Sequence, residues 1–178
     1  KQFLIWRTVP QGEKVAYGDR ADLILKGEYV EEEVGHQEWI LNDLETLGVD
    51  KESVRHGRPS IHTELMVSYA YDQIARNNPV VFFGMVYTLE KTSSTIATLA
   101  ANQIASSLAL PKNAMTYMIS HGSLDIEHMQ DFEQLMNRLD DDDDKASVLH
   151  CVPVFYQLYS NIFRALPISA TTNPEAQS

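Results

Sequence analysis

Two histidines and an aspartate stand at helical spacing in the stretch YMISHGSLDIEHMQDFEQLM, residues 117–136: His121, Asp125 and His128 are at i, i+4 and i+7. At about 100° per residue on an α-helix, they fall within about 60° of one another. Tyr117, Met118, Phe132 and Leu135 share the stripe, so it is expected to face the interior. Two imidazoles and a carboxylate are costly to bury unless they are paired or bound to a metal. Two histidines and one carboxylate on one face form a donor set for iron and similar divalent ions. The plain alternative is a helix with two satisfied histidines and an exposed aspartate. Gly122 and Ser123, inside the stretch, each weaken the helix by about 1 kcal/mol or less, which fits a segment able to move.

Two more groups have the right chemistry to meet it. Glu90 lies in an otherwise apolar helical run, and Phe83, Val86, Tyr87, Ser94, Ala97 and Ala101 share its face. A carboxylate there is either paired with a base or aimed inward at a metal, as in helical-bundle carboxylate sites. Glu33 and His36 form an E-x2-H pair, the i, i+3 spacing by which four-helix bundles present di-iron ligands. Glu31 and Glu32 stand beside Glu33, and only the inward stripe singles it out. Asp43, seven residues after His36, shares its face and is either a second-shell acceptor orienting that ring or an ordinary surface aspartate.

The elements that must carry these groups read as helices throughout. One helical pattern runs over 20–47, with a break near Gly27 and with Gly48 as its terminator. Residues 49–59 read as a polar loop. A helix over 60–77, burying Leu65, Tyr69 and Ile74, is stopped by Asn77-Asn78-Pro79. A long apolar helix over 79–108, rich in small residues, suits close packing. Pro111 opens the segment leading to the His121 helix, which ends in the run Asp140 to Asp144. A last helix over 146–166 carries Val148, Phe155, Leu158, Tyr159, Ile162 and Phe163, with a kink expected at Pro153. No strand period or internal repeat is present, so the fold class is all-α, a single-domain helical bundle over 1–178. Residues 1–18 read as a loop or the remnant of an earlier helix, and 169–178 as a flexible tail.

Composition removes several function classes. The 178 residues carry a net charge of −11, which argues against a nucleic-acid or anionic-membrane surface. No apolar run is long enough to span a membrane. The single Cys151 permits no internal disulfide and fits a reducing compartment, so a cytoplasmic protein is expected. His56 and His62 suit surface or capping roles, and His150 with Cys151 lacks zinc spacing. The aspartate run lacks the Gly and Glu of a calcium loop and reads as solvated. No phosphate-binding loop, dinucleotide fingerprint or nucleophile elbow occurs.

The segments EEEVGHQEWILNDLETLG, NPVVFFGMVYTLE and SHGSLDIEHMQDF together resemble the heme-oxygenase-like di-iron oxidases and oxygenases, relatives of the thiaminase-like (TenA) and PqqC-like proteins. The resemblance implies a bundle of about six to seven helices around a non-heme di-iron site, with manganese possible in place of iron. Carried over, the metal ligands would be Glu33, His36, Glu90, His121, Asp125 and His128. Glu33 and His36 would serve mainly one iron, His121, Asp125 and His128 mainly the other, with Glu90 bridging or nearby. Where some members place a first carboxylate seven residues before the histidine, this chain has Tyr29. The resemblance also implies O2-dependent oxidation of a small organic substrate, by N-oxygenation, C–C cleavage or decarboxylation, in a homodimer. Tyr87 and Tyr117, each near a ligand, would line the pocket or carry electrons, if they are more than core aromatics. The competing expectation is a non-redox binding protein or cofactor-independent enzyme of the same fold, without a functional metal site.

Overall fold

A computed structural model describes residues 35–167. Among them six α-helices and two short 3-10 turns follow one another, and no strand occurs. The helices are α1 (His36–Thr46), α2 (Lys51–His56), α3 (Ile61–Arg76), α4 (Phe82–Ser107), α5 (Thr116–Met136) and α6 (Asp142–Arg164). The expected loop at 1–18, the helical pattern before residue 35, Tyr29, Glu33 and the tail at 169–178 lie outside the described residues.

Local signals set the helix ends. Gly48, at φ +79°, follows α1 in the left-handed region that glycine adopts without strain. Its N–H donates to the Glu45 carbonyl, and Val49 N–H donates to that of Leu44, the paired bonds that close a helix C-terminus. The other end of α1 departs from expectation. Gly35 stands at φ +97° as the N-cap, so helical geometry begins at His36 and does not run through Gly35.

The stretch 49–59 is not all loop: Asp50 accepts a hydrogen bond from Glu52 N–H and starts α2. Ser60 caps α3 through Thr63 N–H. Asn78 caps the turn Pro79–Val81, which leads into α4. The aspartate run is a helix start and not the end of α5. Asp141 accepts from the N–H groups of Asp143 and Asp144, and carboxylates in a first turn oppose the helix dipole. Nor is the run wholly solvated, because Asp144 is buried and accepts a 2.7 Å hydrogen bond from the Asn78 side chain. The helix α6 continues through Pro153.

The apolar core gathers Met66 and Ala70 of α3, the turn and first half of α4 from Val80 to Val86, and Leu139, Val148, Cys151 and Phe155. Leu65, expected inside, is 50% exposed; α3 turns Thr63, Met66 and Ala70 inward instead, while Tyr69 and Ile74 pack against the core. The most extensive helix pairing is α4 on α5, and α6 packs on both α3 and α4. Beyond Val86 the buried apolar residues of α4 shrink to Ala97 and Ala101. There α5 comes closest: a Cβ at Gly122 would stand 2.1 Å from Thr98 Oγ1 and 3.0 Å from its backbone nitrogen. No helix among the described residues is long and apolar enough to cross a membrane.

Candidate metal centre

Six carboxylates and imidazoles are buried among the described residues: Asp43, Glu90, His121, Asp125, His128 and Asp144. All but Asp144 are borne by α1, α4 and α5, helices that pair with one another at α5. Glu90 projects from the same face of α4 as Phe83, Val86, Ala97 and Ala101, and is 1% exposed. Asp125 and His128 come from α5 at i, i+3. His128 Nδ1 lies 3.3 Å from Glu90 Oε2 and 3.6 Å from Asp125 Oδ1. One donor atom from each of the three lies within 4.8 Å of the others. Asp125 is 2% exposed, and its Oδ1 has no hydrogen-bond partner. A buried carboxylate oxygen in that condition carries a desolvation cost that a bound cation would remove. Two carboxylates and an imidazole converging in a dry interior suit iron or a similar divalent ion.

A second pair of imidazoles lies alongside. His121 and His36 meet edge to face with centroids 4.9 Å apart. Trp39 stacks on His36 at 4.2 Å, and Tyr117 on His121 at 4.1 Å. His121 Nδ1 stands 2.9 Å from the Tyr117 carbonyl oxygen. A carbonyl only accepts, so Nδ1 carries the proton, and in the neutral ring Nε2 is the lone-pair atom. The tight three-residue group thus holds Asp125 and His128 with Glu90, while the His121 ring sits against His36. The expected division, with His36 apart from His121, differs from this arrangement because one turn separates His121 from Asp125 along α5 and carries its ring toward α1.

Asp43 does not orient His36. Its carboxylate accepts hydrogen bonds from the Thr116 hydroxyl and, at 2.8 Å, from Tyr117 N–H, so it binds the start of α5. Tyr87 is half-buried and packs against Phe132 at 5.9 Å. Tyr159 of α6, expected as a core residue, is half-buried, and burial with the nearby negative charge of Asp125 pushes its phenol pKa up. Its spacing on α6 matches its apolar neighbours, so no sequence signal separated it from them. His56 and His150 are exposed, and His62 is half-buried. Buried Cys151 lies 3.4 Å from the Tyr69 hydroxyl.

One solved structure shares this architecture. A crystal structure of a domain of unknown function with a heme oxygenase-like fold, from Shewanella denitrificans OS217, matches with a TM-score of 0.67 at 29% identity, over 76% of this chain and 58% of that one. The fold here is heme oxygenase-like, and the chain spans less than two thirds of that neighbour's length. The sequence pattern of the iron-containing redox enzymes matches residues 16–160. The chain belongs to that family. No match is found among curated proteins.

Proposed function

We propose that this chain is a non-heme di-iron oxidase or oxygenase that uses O2 to oxidise a small organic substrate, in the N-oxygenation, C–C cleavage or decarboxylation class. The observation that carries the reading is the buried convergence of Glu90, Asp125 and His128, with Asp125 Oδ1 lacking a hydrogen-bond partner. Membership of the iron-containing redox enzymes supports it. Glu90, Asp125 and His128 would hold one iron, and His36 and His121 would contribute to the second. Bound iron would supply the O2-activating redox chemistry that no side chain of the chain provides.

The chain's own residues have separate tasks on this reading. The Tyr117 carbonyl holds the His121 proton on Nδ1 and so presents Nε2 as a donor. Phe83 and Phe132, packed at 6.3 Å, and half-buried Tyr87 and Tyr159 would keep water from the carboxylates. Tyr117, on the His121 ring, lines the second imidazole pair.

The test is metal analysis of the full chain purified with iron, then anaerobic Fe(II) titration followed by O2 with absorbance recorded. On the order of two Fe(II) per chain are expected, with a spectral change on O2 addition, and Asp125→Asn and His128→Ala each lose most of the uptake. Uptake below one per chain, or uptake indifferent to both substitutions, overturns the proposal in favour of a non-redox protein of the same fold.

A further inference from the structure

The helix that carries His121 has no cap of its own. Met115 stands at its N-cap position and makes no side-chain capping bond. The first free N–H groups of a helix need acceptors, and here one is met from a different helix: Asp43, buried on α1, accepts from Tyr117 N–H and from the Thr116 hydroxyl. That is the bond an N-cap side chain makes to the second helical residue. Tyr117 is in turn the residue whose carbonyl takes the His121 Nδ1 proton and whose ring lies on the His121 ring. His36, two turns before Asp43 on α1, meets the same ring from its edge.

We infer that Asp43 is a positioning residue for His121, acting through the first turn of α5. By holding the Tyr117 N–H, it keeps that turn helical and the Tyr117 carbonyl directed at position 121. It thereby fixes which imidazole nitrogen carries the proton and keeps the ring beside His36. Gly122 and Ser123, which follow His121, have weak helix propensity and add little local stability of their own. The use of the ring as a metal donor rests on the proposed function, whereas its tautomer is a property of the chain without metal.

The experiment compares wild type, Asp43→Ala, Asp43→Asn and Thr116→Ala as full chains without metal. The probe is long-range 15N NMR of the His121 imidazole at about pH 8, where a histidine of ordinary pKa is neutral. Wild type and Asp43→Asn, which keeps an acceptor for Tyr117 N–H, are expected to show the Nδ1–H tautomer. Asp43→Ala is expected to give a mixture with a major Nε2–H form, and Thr116→Ala a smaller shift the same way. A Co(II) titration then reads affinity, with Asp43→Ala about 10- to 100-fold weaker. An unchanged His121 tautomer in Asp43→Ala overturns the inference, and Thr116→Ala decides in the same way if Asp43→Ala does not fold. A shifted tautomer in a protein whose wild type takes no Co(II) upholds the positioning role and removes the metal reading. An unchanged tautomer in a protein that binds Co(II) does the reverse.

Discussion

Thr98 on α4 and Gly122 on α5 touch so closely that the space for a single β-carbon at position 122 is already filled by the Thr98 hydroxyl and backbone. This contact sets the separation of α4 and α5, and with it the distance from Glu90 to Asp125 and His128. Gly122→Ala is expected to lower unfolding stability by about 1–3 kcal/mol through overpacking. Adding Thr98→Ala removes the nearest clashing atom but leaves the backbone nitrogen, so the double variant recovers part of the loss. Urea unfolding of the four chains of this cycle measures it; additive effects would mean that the two positions do not meet.

Asp125→Asn is expected to separate stability from metal binding. Without metal, it neutralises a buried carboxylate whose Oδ1 has no hydrogen-bond partner, so the metal-free chain gains about 0.5–2 kcal/mol, as substitutions at strained functional sites commonly do. Wild type is stabilised by Co(II) or Fe(II) by mass action, about 2.7 kcal/mol at a hundredfold excess over Kd, and the variant is not. Thermal melts with and without the ion check both halves.

Much of this centre was readable in the chain because three of its donors sit on one long helix, where spacing alone fixes direction. The phase of His121, Asp125 and His128, the apolar face around Glu90, and the stop at Asn77-Asn78-Pro79 all follow from local rules. What could not be read depends on contacts between distant segments. Asp43 shares a face with His36, but its partners Thr116 and Tyr117 lie on another helix. Gly122 reads as a weak point, since its propensity cost is local and its packing role needs Thr98. Gly35 takes a left-handed φ directly before His36, which the helical pattern read over 20–47 does not reveal.

Asn78→Ala removes two bonds together: the amide donor to buried Asp144 and the cap on Val80 N–H. A loss of about 1–3 kcal/mol is expected, in a region away from the carboxylate–imidazole group. Metal affinity should therefore hold while the denaturation midpoint falls. A parallel drop in Co(II) affinity would contradict that separation.

Alkaline pH is expected to weaken the fold through Tyr159. Burial first, then Asp125, raises its phenol pKa above the ordinary 10.0. The folded chain keeps this proton where the unfolded chain has released it, so the contribution is complete below about pH 10 and is lost as pH rises through the raised value. Tyr159→Phe should flatten part of this alkaline decline. Denaturation midpoints at stepped pH, with tyrosinate absorbance, measure it, and an identical decline in both chains contradicts the assignment.

The donor groups belong to rigid rods and not to separate loops. One residue of slip between α4 and α5 is a translation of about 1.5 Å, enough to spoil every Glu90 distance at once. Asp125 and His128 lie one turn apart on α5, so a shift of that helix moves both relative to Glu90 together.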